Sequence, residues 1–230
     1  MTVAARPRVT VVGLGPGAPD HVTTQTLAAI EAVPAHQRFV RTAQHPSAHL
    51  VPGATTFDDV YDAAESFADV YAEIAARLVA AANEHGHVLY AVPGSPLVLE
   101  RTVALLRADT RVDAELLPAM SFLDVAWARL DVDPIEAGVR LIDGHEFATA
   151  AAGATGALLV AHTHANWVLT DIKLAVDDPT GAIDATPVVL LAGLGTDAEQ
   201  IVATTWAEMD RALPGGADHL TSLYIPDLGV

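Results

Sequence analysis

The stretch from His87 to Val98, HVLYAVPGSPLV, constrains the fold more than any other. Four apolar residues, Val88, Leu89, Ala91 and Val92, surround one tyrosine, a run suited to a buried parallel strand. The run breaks at Pro93-Gly94-Ser95-Pro96 and resumes as a helical pattern, LVLERTVALLR, from Leu97. In open α/β sheets, ligands bind where such loops leave the carboxyl ends of strands. Pro93 and Pro96 stiffen the loop, Gly94 allows close approach to the backbone, and Ser95 is its one polar side chain. A strand-to-helix turn without a ligand satisfies the same pattern.

Upstream, Val9 to Val12 predict a first strand, followed by Gly13-Leu14-Gly15-Pro16-Gly17 and a helix, TQTLAAIEAV, capped by Thr23 or Thr24. Gly13, Gly15 and Ala18 fit a dinucleotide fingerprint. The acidic residue that should hold a ribose is missing, because the next strand, Arg38 to Val40, ends in Arg41-Thr42. Pro16 also removes an N–H that a phosphate would use, and no Gly-Lys-Ser/Thr follows. Arg41 to Pro46 is a polar loop whose arginine and His45 could face the glycine turn. Phe57 to Ser66 is acidic, with Phe57 and Tyr61 as anchors; its carboxylates read as an exposed face. A loose capping box at Ser66 opens a helix from Phe67 to about Glu84. Phe67, Val70, Tyr71, Ile74 and Leu78 form its apolar face, which makes Tyr71 most simply a core residue. Gly86 ends it.

Residues 112–117 alternate like a strand, and Pro118-Ala119-Met120-Ser121 leads into a helix, FLDVAWARL, whose N-terminus suits an anion. A domain boundary is expected near Pro118, giving domains 1–118 and 119–230. The second half predicts short strands at 139–142, 157–161, 187–192 and 219–225. A helix is expected from Asn166 to Val176, stopped by Asp177-Asp178-Pro179, and another from Trp206 to Leu213. Gln200 to Thr204 reads as a strand pairing back on 187–192, so a mixed sheet is expected. His162 and His164 should share a strand face, but no third metal ligand is fixed, and no metal is expected.

The net charge of −17 disfavours nucleic acid as a partner. Hydrophobic residues make up 51% of the chain, enough for a substantial core. The absence of cysteine excludes disulfides, thiolate nucleophiles and Cys-ligated zinc. No G-x-S-x-G elbow points to a serine hydrolase. No apolar run reaches the roughly 18 residues of a membrane span, and the N-terminus lacks a signal-peptide pattern. A soluble, cytoplasmic protein with no membrane partner is the expectation.

Taken in order, GLGPG at 13–17, RTAQHP at 41–46, FDDVYDAAESFADVY at 57–71, YAVPGSPLVLERTV at 90–103, LPAMSFLD at 117–124 and HLTSLYIP at 219–226 resemble the tetrapyrrole (corrin/porphyrin) methylase superfamily. The chain looks most like the methylase-like N-terminal domain fused in some bacteria to a MazG-type nucleotide pyrophosphohydrolase. The resemblance implies two α/β domains, the first largely parallel and the second mixed, with S-adenosylmethionine (SAM) in a cleft between them and a homodimer. The family's Gly-Asp-Pro cofactor loop falls on Gly94-Ser95-Pro96, with Pro93 before it and Leu97 and Val98 behind; Ser95 replaces the aspartate. Ser121-Phe122, His162-Thr163, Ala192-Gly193 and His219-Leu220-Thr221 match the other cofactor segments, and Pro16 sits at the floor of the cleft. Arg41, His45, Tyr61 and Tyr71 fall on segments that would face the methyl acceptor.

The expected activity is SAM-dependent methyl transfer, with S-adenosylhomocysteine (SAH) as product and a small molecule or peptide as acceptor. Such a displacement on a sulfonium needs mainly orientation. A base, His45 or a tyrosine, is needed only if the acceptor loses a proton. The rival reading is a non-catalytic SAM- or nucleotide-binding regulatory module for a MazG-type partner, the chain being a stand-alone protein or part of a longer one. An NAD-dependent oxidoreductase is disfavoured by Arg41.

Overall fold

Continuous apolar runs make the central strands of a sheet buried on both faces. In the computed structural model, which describes residues 6–176, 178 and 180–229, β1 (Arg8–Gly13) and β4 (His87–Val92) pair in parallel at the centre of such a sheet. β2 (Arg38–Val40), β3 (Thr55–Thr56) and β5 (Asp113–Leu116) complete the order β3-β2-β4-β1-β5, with every pairing parallel. Side chains alternate between the faces. Val9, Val11, Val88, Tyr90 and Val92 pack under α3 (Phe67–His85) and α4 (Arg101–Ala108). Val12, Leu14, Leu89, Ala91 and Val40 pack with Ile30 of α1 (Thr24–Ala32) on the other face. From β1 the chain crosses to β2 on one side, and from β4 to β5 on the other, so connections diverge between these two central strands, the place where open sheets bind ligands.

Local signals set several boundaries. Thr23 is the cap of α1, its hydroxyl accepting from the Thr26 N–H at 3.1 Å. Ser66 caps α3 in the same way, and Gly86, at φ 78°, ends it. A short helix, α2 (Asp58–Ala63), precedes α3. Phe67 departs from the expected apolar face: in the first turn of α3 it is 70% exposed and only stacks on Tyr71. The pattern from Leu97 also overestimates a helix. Residues 95–100 are a turn with Leu99 at φ 57°, and α4 starts at Arg101. Leu97 is accordingly exposed and Val98 half-buried.

The chain divides into two compact units, Met1–Leu123 and Asp124–Val230. The division falls in α5 (Phe122–Leu130). In the second unit β6 (Arg140–Asp143), β7 (Leu158–Ala161), β8 (Pro187–Ala192), β9 (Gln200–Thr205) and β10 (Thr221–Ile225) form a sheet in the order β6-β7-β10-β8-β9. β6 and β7 are parallel, and the other pairings are antiparallel, so the sheet is mixed. Inward residues of β7, β8 and β10 form a core with Val168, Leu169 and Ile172 of α7 (Asn166–Leu174) and with Phe147 of the single-turn α6 (Phe147–Ala150). β8 and β9 form the expected hairpin. The expected helix at 206–213 is only a 3-10 turn at Trp206–Glu208 followed by further turns, although Trp206, Met209 and Leu213 are buried at helical spacing. α7 stops at Leu174; of the expected stop signal, Asp177 and Pro179 lie outside the described residues.

Candidate functional site

The loops after β1 and β4 are joined to each other. Leu14 N–H donates to the Val92 carbonyl at 2.8 Å, Gly94 N–H to Gly15 at 2.7 Å, and Gly15 N–H to Gly94 at 3.2 Å. This explains the glycine spacing without a nucleotide. A Cβ on Gly13 would lie 2.2 Å from the Gly94 carbonyl oxygen and 2.5 Å from Ala119 Cβ. Gly94 has the opposite character: at φ 63° no atom lies within 4 Å of where its Cβ would stand. Its exposed side is open for a ligand to reach the backbone. Beside it a cavity of about 200 Å³ is lined by Ser95, Pro96, Leu97 and the segment Leu116 to Ala119. Pro93 and Pro16 flank the bridge, half-buried. Ser121 is buried and accepts from the Leu123 N–H at 3.2 Å, at the start of the helix containing Phe122.

Arg41, Tyr61 and Tyr71 come together at the carboxyl ends of β2 and β4. Arg41 Nε donates to Tyr61 Oη at 2.6 Å and Nη1 to Glu100 Oε2 at 2.7 Å. Its guanidinium carbon lies 5.9 Å from the Tyr61 ring centroid and 5.7 Å from that of Tyr71. Glu100, which the sequence motifs do not single out, is the missing member of this set. Burial pushes the Glu100 carboxyl up and Arg41 draws it back down. Burial likewise pushes the Tyr61 phenol up, against the Arg41 charge, so Tyr61 remains a neutral hydrogen-bond donor. Despite burial, Glu100 and the tyrosines hold the Arg41 proton more tightly than usual.

His45 packs elsewhere. Its Nδ1 accepts from the Ser47 N–H at 3.2 Å, and Ser47 Oγ donates to the Gly17 carbonyl at 2.6 Å, which ties this loop to the glycine turn. Burial lowers its pKa. With the Nδ1 lone pair engaged, His45 is placed to hold the loop and poorly placed to accept a proton.

In the second unit β7 and β8 each run antiparallel to β10, so their carboxyl ends and the start of β10 share one sheet edge. His162-Thr163, Ala192-Gly193 and His219 to Thr221 meet there. Thr163 Oγ1 donates to the Thr221 carbonyl at 2.9 Å, and Gly193 N–H to that of Leu220 at 3.2 Å. His162 is not on a strand. At φ 59° it turns out after β7, and its Nδ1 pairs with Asp143 Oδ2 at 2.8 Å. His164 points to His145 and Trp167, with ring centroids 5.1 and 5.5 Å away. His219 and Leu220 are exposed; Thr163 and Thr221 are buried. Among the described residues no group of three or more His, Asp or Glu is arranged to hold a metal, and no helix is long and apolar enough to cross a membrane.

Loops of small residues gathered at the carboxyl edge of a doubly covered parallel sheet define an open α/β protein of the kind that binds ligands at that edge. Comparison with known proteins specifies which: residues 8–210 match the tetrapyrrole (corrin/porphyrin) methylases, and the chain belongs to that family. It is 32% identical over 228 residues to the uncharacterized protein YabN of Bacillus subtilis (strain 168), a match covering 96% of this chain and 45% of that protein. The chain thus spans less than half the length of this curated relative. Among solved structures it resembles uroporphyrin-III C-methyl transferase from Thermus thermophilus complexed with S-adenosyl homocysteine, at 17% identity and a TM-score of 0.67, covering 96% of this chain and 98% of that one. It also resembles the cobalamin biosynthetic enzyme cobalt precorrin-4 methyltransferase, CbiF, at 18% identity and a TM-score of 0.67, covering 95% and 94%. These likenesses establish the fold.

Proposed function

We propose that this chain is a SAM-dependent methyltransferase of the tetrapyrrole methylase type, acting on a small-molecule or peptide acceptor. The observation that carries the reading is the bridged pair of loops at Gly15 and Gly94, with Gly94 open to a ligand beside a cavity. That cavity is smaller than the about 300–1,000 Å³ of complete ligand pockets. The binding of S-adenosyl homocysteine by a protein of the same fold supports SAM as that ligand.

In this reading the backbone of Pro93, Gly94 and Ser95 meets the cofactor, with Pro16, Leu97, Val98, Ser121 and Phe122 as further contacts of the first unit. Ser95 offers a hydroxyl where the family's loop has a carboxylate, so the backbone provides most of the hold. His162, Thr163, Ala192, Gly193, His219, Leu220 and Thr221 are the contacts proposed in the second unit. SAM supplies an electrophilic methyl on a sulfonium. The chain's own contribution is orientation and exclusion of water. Arg41, Tyr61 and Tyr71 orient the acceptor through donors and ring faces, and His45 stabilises the loop beside them.

Calorimetric titration with SAH tests this. Micromolar binding at about one site per chain supports a cofactor site and justifies an acceptor screen. No binding by folded protein refutes the methyltransferase reading and turns the search to an interaction module with a protein partner. A homodimer and a MazG-type pyrophosphohydrolase partner belong to the same proposal. The length of the YabN relative beyond the matched stretch leaves room for a further domain there. Sedimentation and co-purification of the two proteins test these.

A further inference from the structure

Behind Arg41 lies a second polar layer. The Glu100 side chain is 1% exposed, and its Oε2 accepts from Arg41. Its Oε1 and the hydroxyls of Tyr90 and Thr102 are buried without a hydrogen-bond partner of sound geometry, although the Thr102 hydroxyl neighbours both other groups. A buried carboxylate is weak evidence for stability, since apolar residues of similar volume often serve as well. What Glu100 does provide is a fixed bearing for a guanidinium. Nη1 goes to Glu100 and Nε to Tyr61, while Nη2, on the same edge as Nε, has no protein acceptor among the described residues. Tyr61 Oη accepts from Arg41, so its own hydrogen is free to donate. The Tyr61 and Tyr71 rings flank the guanidinium.

We propose that Glu100 is a positioning residue for the acceptor side of the site: it holds Arg41 in the orientation that engages Tyr61, so that Nη2 and the Tyr61 hydroxyl stand as neighbouring donors for an oxygen atom of the methyl acceptor. This rests on the methyltransferase reading above. The role depends on reach as well as charge, because a shorter carboxylate would draw the guanidinium away from Tyr61.

The test is alkaline titration of the tyrosines by near-ultraviolet absorbance, with SAH affinity measured in parallel. Subtracting a Tyr61→Phe curve isolates this phenol among the four tyrosines. Glu100→Gln keeps the reach and removes the charge that opposes Tyr61 ionisation, so the Tyr61 phenol should titrate lower than in the wild type. Glu100→Asp keeps the charge and loses the reach; Tyr61 loses its guanidinium contact and should titrate higher than in the wild type. SAH affinity should match the wild type in both. An unchanged Tyr61 titration in Glu100→Asp overturns the positioning role, and that variant decides alone if Glu100→Gln does not fold. Loss of SAH binding in either variant overturns the assignment to the acceptor side. Failure of the wild type to bind SAH instead refutes the methyltransferase reading and removes the acceptor with it, whatever Tyr61 does.

Discussion

Gly94 separates folding from ligand binding, because the two make different demands on it. A methyl group added there meets nothing within 4 Å, so no packing term opposes Gly94→Ala. What remains is the left-handed backbone at φ 63°, which costs a residue with a Cβ about 1–2 kcal/mol. For a chain of this size that lowers the melting temperature by roughly 2–8 °C. The same Cβ occupies the side of the loop that the proposed cofactor would approach. If SAH touches the Gly94 backbone, its affinity should fall at least tenfold, or about 1.4 kcal/mol. Gly94→Trp, directed into the same open space, should abolish binding while the protein still folds. Differential scanning calorimetry and SAH titration on the three proteins are the assay. Wild-type affinity in the Trp variant would falsify the placement of this loop in the cofactor site. A stability loss well beyond the backbone term would refute the claim that the space above Gly94 is open.

Gly13→Ala should fail differently, by forcing the β1 and β4 loops apart, at about 1–3 kcal/mol or more; urea denaturation measures it. Arg41→Met leaves Glu100 buried and unpaired, which should cost about 3–5 kcal/mol near neutral pH. Burial favours the protonated acid, so the deficit of this variant should shrink as pH falls below the ordinary carboxylate range and grow as pH rises through it, as denaturation at several pH values would reveal. Asp143 has the opposite sign. The hydrogen bond from His162 helps hold its carboxyl below the usual range, so its contribution is present at neutral pH and is lost as pH falls through the depressed value; a His162→Ala variant should show a flatter acid limb. Thr163→Val leaves the Thr221 carbonyl without its buried donor and should destabilise the second unit by about 1–3 kcal/mol, read from its unfolding transition.

Much of this was legible in the sequence because short-range chemistry decides it. Thr23, Ser66 and Gly86 mark helix ends through their own side chains or lack of one, and the apolar runs at 9–12, 88–92 and 187–192 read as strands with a buried face. The turn at 95–100 is hidden because the apolar residues of the whole run from Leu97 to Leu106 read as one helix, while the left-handed Leu99 and the packing of Pro96 against the β1 loop are tertiary facts. Motif resemblance points to Arg41, Tyr61 and Tyr71, which the fold brings together, but it does not single out Glu100. It sits in an apparently ordinary helical stretch, and only the return of β4 beside β2 brings it to Arg41, 59 residues away. His45 shows what a sequence does not display: its loop reads as promising, and its Nδ1 accepts from the Ser47 N–H.

The place of β10 bears on how the protein is made. It lies between β7 and β8, and its pairing joins residues 158–160 to residues 223–225. A ribosome delivers β6, β7, β8 and β9 before the strand that holds them as one sheet, so until residue 225 has emerged the inner edges of β7 and β8 stand unpaired. The first unit, whose strands are complete by Leu116, can close while the rest is still being synthesised. The second must wait for its keystone, and the nascent chain is most exposed to edge-to-edge aggregation during that interval.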